Sequence, residues 1–231
     1  MPGPGPEIFW FIFFTIFILI GIIGSIFGVI AVKKRRQAMA ALAERLGLNF
    51  DQSRDADIAR RYRFLNKLCA GDNRYAFNVI SGRYKDNDIL AFDYHYETHS
   101  TDSKGHHHTH HHYFSFFILQ LPVIFPELFI AREGIFSKIG QALGYDDIDF
   151  ESYEFSRKFC VRSKDKKFAY DFCNAKMIEY LLANADLSIE VENNALSISF
   201  DRCLKPEDIE PNLERLVAIR SLMPEYLFPR R

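Results

Sequence analysis

Histidine is concentrated in one short part of this sequence. All eight histidines lie between His95 and His112, in the pattern H-x-E-x-H followed by the run HHHTHHH. Neutral imidazole nitrogens together with a carboxylate oxygen are ligands that suit Zn²⁺, Ni²⁺ or Cu²⁺. These residue types and their spacing therefore indicate metal binding as the first chemistry to consider.

The histidines can share an ion only if the backbone places them together. Alternate residues of a strand share a face, so His95, Glu97 and His99 would point the same way, but the two histidines would lie about 13 Å apart. We therefore expect Glu97 to act with His95 or His99 and with a histidine of the returning strand, His110 or His112. The alternative is a solvated His-rich loop with adventitious affinity.

The stretch that organises the rest of the chain is apolar: Ile8–Val32 contains no charged residue and precedes Lys33, Lys34, Arg35 and Arg36. As a helix it would be about 37 Å long, against about 30 Å for the hydrocarbon core of a bilayer. A signal peptide is a poorer explanation, because the first seven residues lack a basic side chain and the apolar run is too long. The basic cluster predicts an external N-terminus and a cytoplasmic C-terminal domain at a bacterial inner membrane.

Two sets of residues on this helix suggest contacts. Small residues spaced by three or four positions favour packing against another membrane helix, and four of them occur here: Gly21, Gly24, Ser25 and Gly28. The basic residues 33–36 are expected to contact anionic headgroups. The expected partners are thus the bilayer and other membrane subunits, or a second copy of this chain.

Charge is unevenly distributed along the chain. Residues 33–63 carry nine Lys or Arg and four Asp or Glu, a net charge of +5, whereas residues 64–231 carry twenty and twenty-five, a net charge of −5. Basic residues beside a membrane and an acidic domain beyond them indicate contact with anionic lipid and not with nucleic acid. The four cysteines show no C-x-x-C spacing and are expected to be buried thiols.

The pattern predicts an α+β fold, with a membrane helix followed by a mixed domain of antiparallel hairpins and helices. It divides into a tail (1–7), the membrane helix (8–32), a juxtamembrane helical region (33–70), a β-rich lobe with the histidine hairpin (71–149) and a β-α-β-β-α lobe (150–231). Whether the two lobes form one domain is left open.

Several local elements are predicted within these regions. The helices are 37–46, 57–69, 135–143, 166–183 and one from Pro206 to about Tyr226; the strands are 74–81, 89–97, 113–122, 128–131 and 159–162. Residues 98–112 are predicted to form a loop. A hairpin is predicted over 187–200, because Asn193-Asn194 suits a type I′ turn between two alternating runs.

One part of the chain resembles a family of uncharacterised bacterial membrane-anchored proteins. The resemblance rests on Gly71-x-x-Arg74-x-Ala76-x-Asn78-Val79-x-x-Gly82, followed by Phe92-Asp93-Tyr94-x-Tyr96, and extends to Leu121-Pro122 and Pro126-Glu127. It implies a single-pass anchor with a soluble domain. It implies no mechanism, since no activity is established for that family.

Three functions are compatible with these features. The preferred one is a non-catalytic accessory or scaffold protein of a larger membrane assembly, because no complete catalytic motif is found. The second is a metal-binding sensor or metal-handling module that uses the histidine hairpin. The third is a membrane-bound hydrolase, although the pattern H-x-E-x-H differs from the helical H-E-x-x-H of metalloproteases.

Overall fold

The structure is a computed structural model that describes residues 6–132 and 147–228. It confirms a mixed α+β fold with an apolar N-terminal helix and an antiparallel sheet. The helices are α1 (Pro6–Arg45), α2 (Ala56–Arg61), α3 (Tyr153–Lys158), α4 (Lys166–Phe172), α5 (Ala175–Ala183) and α6 (Pro206–Leu222). The strands are β1 (Asn49–Asp51), β2 (Asp72–Tyr84), β3 (Asn87–Thr101), β4 (His107–Arg132), β5 (Phe159–Ser163) and β6 (Ser188–Ser199).

The six strands form one antiparallel sheet built around β4. The order is β1-β2-β3-β4-β5, and β6 pairs with β4. Residues 116–119 of β4 pair with β3 and also with β6, so these two strands flank β4 on opposite edges. Because β5 and β6 pair with residues 128–130, the same strand joins the sheet segments of both predicted lobes.

Each face of the sheet is covered by different elements. One face packs against the C-terminal part of α1 and against the helices that follow β4, with Met39, Phe117, Phe172 and Leu216 in the same buried cluster. The other face packs against α2 and the turn that follows it. Alternation along the strands separates the two sets, because successive side chains of a strand point to opposite faces.

Helix α1 is continuous from the apolar stretch into the domain. Its segment Phe13–Arg45 is long and apolar enough to cross a membrane, and none of its most apolar window is buried inside the protein. The predicted helical continuation through 37–46 is confirmed, with the helix ending at Arg45. Gly47 then adopts a φ of 68°, the left-handed conformation that glycine commonly takes after a helix.

The predicted hairpin at 187–200 is supported by a contact within β6. The Ser197 hydroxyl donates to the carbonyl oxygen of Glu190 at 3.0 Å, whereas seven residues of a straight strand would span about 23 Å. The chain therefore folds back between these two residues, and the register with β4 shifts on both sides of Asn193. Asn193 adopts a positive φ of 52° but Asn194 does not, so the turn is not of the predicted type I′.

Two predicted helices are each divided into two shorter elements. The helix expected over 57–69 ends as α2 at Arg61, and a single 3₁₀ turn follows at Asn66–Leu68, where the backbone and side-chain amides of Asn66 donate to Glu190. The helix expected over 166–183 is divided at Asn174, whose side chain caps α5 through the N–H of Met177.

Other boundaries also differ from the prediction. The strands predicted at 113–122 and 128–131 are parts of β4, whereas β5 and the helix start at Pro206 are confirmed. The predicted loop 98–112 is mostly strand, since β3 extends to Thr101 and β4 begins at His107. The predicted helix 135–143 lies outside the described residues.

Candidate metal centre and the helix–sheet junction

The histidines occupy the end of the hairpin formed by β3 and β4. Thr101 pairs with His107, and the short connection is held by Asp102, whose carboxylate accepts hydrogen bonds from the N–H groups of Lys104 and His106. From this pair the register continues without a shift, and it places Glu97 directly opposite His111.

Three side chains on one face of this hairpin converge. His95 Nε2 lies 3.1 Å from His111 Nδ1, Glu97 Oε1 lies 3.3 Å from His111 Nδ1, and His95 Nε2 lies 3.8 Å from Glu97 Oε1. Ligands at about 2.0–2.1 Å from a tetrahedral zinc ion are separated by about 3.3–3.4 Å. The three atoms therefore have the spacing of three corners of a metal site, which we call the triad.

The surroundings of His95 orient it for such a role. Its Nδ1 lies 3.1 Å from the carbonyl oxygen of Asn73, which can only accept, so Nδ1 carries the proton and Nε2 presents its lone pair to the triad. Metal-bound histidines usually have such a second partner. The ring stacks on Tyr75 and contacts Tyr113, with centroid distances of 4.6 and 4.8 Å. Burial lowers the pKa of His95, which favours the neutral imidazole that can bind a metal.

Asn73 also supports the carboxylate of the triad. Its backbone adopts a positive φ of 47°, and its side-chain amide donates to Glu97 Oε1 at 2.6 Å. Gly71 precedes it with a φ of 62°, and a Cβ there would collide with the carbonyl of Glu97 and the ring of Tyr96. The start of β2 is therefore shaped to lie against the triad.

The structure brings together only part of the ligand set predicted from the sequence. His95 and Glu97 belong to the triad, whereas His99 lies opposite Thr109 and its Nδ1 is 3.1 Å from the Thr109 hydroxyl oxygen. His110 and His112 pair with Thr98 and Tyr96, which places them on the opposite face from Glu97.

His111 was missed by the sequence analysis. A shift of one residue exchanges the two faces of a strand, so choosing between His111 and its neighbours requires the register of the hairpin. The alternation of histidines alone does not contain that register. Asp102 gives one local indication of the register, because its carboxylate can accept hydrogen bonds that close the loop between β3 and β4.

A second polar cluster lies two residues along the same face of β3. The carboxylate of Asp93 accepts hydrogen bonds from Arg35 at 2.8 and 3.0 Å, from the Asn78 amide at 2.9 Å and from the Ser115 hydroxyl at 2.8 Å. The guanidinium also donates to the carbonyl of Leu204. The Asp93 side chain is only 1% exposed. We call this network the junction, because it ties α1 to the sheet.

The junction explains several residues of the motif that carries the family resemblance. Asn78 and Asp93 are both members of the network, and Tyr94 donates from its hydroxyl to the carbonyl of Leu68 at 2.7 Å. These motif residues therefore have structural partners. None of these contacts requires a catalytic role.

The four basic residues after the apolar stretch have different surroundings. Lys33 and Lys34 are exposed, as expected for residues that contact headgroups. Arg35 is instead engaged by the junction. Arg36 is half-buried, and its Nε has no hydrogen-bond partner among residues 6–132 and 147–228.

The small residues of α1 are also not equivalent. The Ser25 hydroxyl donates to the carbonyl of Gly21 at 2.8 Å within the helix, so its hydrogen-bonding capacity is already used in part. A Cβ added at Gly21 or Gly28 would meet nothing within 4 Å, which leaves both positions open to another molecule. Gly24 lies in the same helix, and packing through these residues stays a prediction.

Glu190 is a buried carboxylate outside both clusters. Its Oε1 accepts hydrogen bonds from the backbone and side-chain amides of Asn66 at 2.7 and 2.6 Å. Burial raises the pKa of Glu190 to about 8, and the neighbouring carboxylates of Glu127 and Glu192 contribute in the same direction. Glu190 therefore retains a proton in the folded protein near neutral pH.

Comparison with known proteins gives a likeness in fold. No protein-family model matches the sequence, and no curated protein matches it. The chain is similar to the crystal structure of the mycobacterial trehalose monomycolate transport factor A, TtfA, with a TM-score of 0.55 and 11% sequence identity. The alignment covers 82% of this chain and 96% of that one. At this identity, the similarity shows that the two proteins share a fold.

Proposed function

We propose that this protein is a non-catalytic accessory protein of a membrane assembly, anchored by α1 with its α+β domain on the cytoplasmic side of a bacterial inner membrane. The observation that carries the proposal is the continuity of α1, which extends from an apolar span into the core of the domain. Met39 of α1 is buried in the core, and Arg35 is paired with Asp93. These two contacts make the connection between the span and the domain rigid. A rigid connection suits a protein that positions a domain relative to the bilayer.

The similarity to TtfA supports the same proposal. That protein is a transport factor by its description, and the shared fold makes a role in a membrane transport system a reasonable hypothesis for this chain. The partners would be other membrane subunits or a second copy of this chain.

The topology can be tested with reporter fusions at the C-terminus. We expect a reporter that is active only in the cytoplasm to be active there, because Lys33–Arg36 lies on the C-terminal side of the span. Activity of a periplasm-only reporter at the same position would contradict the proposed placement.

The accessory role predicts that the full chain, extracted in mild detergent, migrates as a complex larger than its own protomer and micelle. Migration as a monomer would contradict it.

Metal binding is a second candidate function, favoured by the geometry of the triad. His95, Glu97 and His111 would supply two imidazoles and one carboxylate to Zn²⁺, Ni²⁺ or Cu²⁺, leaving a fourth position for water or a partner's ligand. Such a centre would serve as a sensor or as a docking point. A membrane-bound hydrolase that activates water on the same triad stays a third hypothesis.

A further inference from the structure

A groove lies between α1 and the edge of the sheet at the point where the apolar span ends. Its volume is about 1030 Å³, and one wall is a single stripe of α1 between Ser25 and Ala40. The other wall is formed by residues 50–52, at the end of the edge strand β1. Neither wall belongs to the triad or to the junction.

The groove has the length of one lipid molecule. The stripe between Ser25 and Ala40 rises by about 22 Å along the helix axis. One leaflet of a bilayer, including its headgroups, is about 20–22 Å thick. A single phospholipid could therefore lie along the stripe without leaving its own leaflet.

The chemistry changes along this length in the same order as in a phospholipid. The part nearer the N-terminus is lined by Gly28, Val29 and Val32, which present an apolar surface suited to an acyl chain. The part nearer the domain is lined by Lys33 and Arg36, which suit a phosphate. The wall therefore changes from apolar to cationic where the bilayer changes from hydrocarbon to headgroup.

Arg36 provides an independent observation. Its Nε is buried and has no hydrogen-bond partner in the described structure, although a buried donor of this kind is costly to leave unpaired. Arg36 lines the groove, so a phosphate there would accept charged hydrogen bonds from its guanidinium, with Nε reaching the phosphate once the side chain turns from its enclosed position.

The opposite wall contributes a carboxylate. Asp51 lines the groove there, and its hydrogen bond from the N–H of Ser53 lowers the pKa of Asp51, which keeps it ionised. Together with Lys33 and Arg36 it leaves a net charge of +1, which matches one phosphodiester. A hydroxylated headgroup would find acceptors on Asp51 and Gln52.

We propose that this groove binds one anionic glycerophospholipid with a hydroxylated headgroup, its phosphate between Lys33 and Arg36 and one acyl chain along Gly28, Val29 and Val32. The inference rests on the proposed membrane placement of α1. It goes beyond that placement by assigning a discrete lipid site to one face of the helix.

The test uses the full chain, reconstituted in phosphatidylcholine nanodiscs that contain a minor fraction of phosphatidylglycerol. The chain is then transferred to detergent, and the lipid that stays bound is measured by native mass spectrometry. We expect the wild type to retain a single phosphatidylglycerol in preference to phosphatidylcholine. Arg36→Gln should lower that retention about tenfold through loss of a charged hydrogen bond.

Two matched controls isolate the groove. Lys34→Gln removes the same charge outside the groove lining and should leave retention within about twofold of the wild type, because its attraction is screened. Gly28→Leu should exclude the lipid by filling the groove, whereas Gly21→Leu should not. A Cβ at either glycine meets no neighbouring element of the described structure within 4 Å, so neither change introduces a clash at that atom.

The outcomes separate this inference from the proposed function. Equal loss of phosphatidylglycerol from Arg36→Gln and Lys34→Gln would overturn the site in favour of diffuse attraction. If Gly28→Leu keeps its bound lipid but loses a co-purifying subunit, the lipid site is overturned and the groove binds a protein. Release of the wild-type chain from cell membranes by an alkaline wash would overturn the membrane placement itself, whereas retention in the membrane without bound lipid would overturn only the groove.

Discussion

The triad and the junction are two polar clusters on the same face of β3 and β4, only two residues apart along β3. Each is centred on a carboxylate, Glu97 in one and Asp93 in the other. The Asp93 carboxylate is fully enclosed and accepts hydrogen bonds from three protein side chains. In the triad, by contrast, His111 is half exposed, and its Nδ1 faces the acceptor atoms of His95 and Glu97.

The difference comes from what covers each cluster. Helix α1 reaches the sheet at Asp93 and delivers Arg35, so the charge is neutralised within the chain. Further along β3, the His111 side chain of the triad is half exposed. The same strand face thus carries an enclosed cluster at one position and a partly open one at the next.

The largest expected effect tests whether the junction is structural. Arg35→Met should destabilise the domain by about 3–5 kcal/mol, because it leaves the Asp93 carboxylate buried without a cation. Urea unfolding of the full chain in detergent, followed by circular dichroism, measures this change. Lys34→Met is the control, and it should alter the free energy of unfolding by less than about 0.5 kcal/mol. Equal effects of the two variants would mean that the ion pair contributes nothing specific.

The next effect tests whether the triad is an organised site. His111→Ala should lower Zn²⁺ affinity by about 10–100-fold, whereas His112→Ala, one residue away on the opposite face, should lower it far less. Competition titration with a chromogenic chelator measures both constants. If the two variants lose the same affinity, binding is by a disordered collection of histidines, and the triad is not the metal site.

The smallest effect concerns Glu190. Its carboxylate is buried like that of Asp93, but it accepts hydrogen bonds from the amides of Asn66 and not from an arginine. The pKa of Glu190 is raised to about 8 in the folded chain, above the value in the unfolded chain. Its contribution to stability is therefore fully present below the unfolded pKa and is lost as pH rises through the folded pKa. Glu190→Gln cannot ionise, so the variant should lack this loss, which we expect to be about 2 kcal/mol between pH 6 and 8.

The measurement is the difference in unfolding free energy between wild type and Glu190→Gln across that pH range. Parallel curves for the two proteins would show that Glu190 does not hold a proton. Such a result would also remove the contrast with Asp93, whose carboxylate accepts hydrogen bonds from Arg35.

Much of the fold was predictable from local pattern. The apolar helix and its continuation, the glycine that ends it, the antiparallel strands and the start of α6 at Pro206 all follow from composition, periodicity and capping residues. The predictions failed where a distant partner decided the outcome. Asn66, expected inside a helix, instead donates to the distant Glu190, and Asn174 divides a predicted helix by capping α5.

The sequence by itself determined the long apolar helix and the presence of a histidine hairpin, because hydrophobic length and strand alternation are local properties. It also placed His95 and Glu97 on one face. Only the tertiary structure decided that His111, and not His110 or His112, completes the triad, since a register shift of one residue would exchange the faces. Only the tertiary structure decided that Arg35 turns inward to Asp93, because that partner lies 58 positions away and is brought close by the packing of α1 on the sheet.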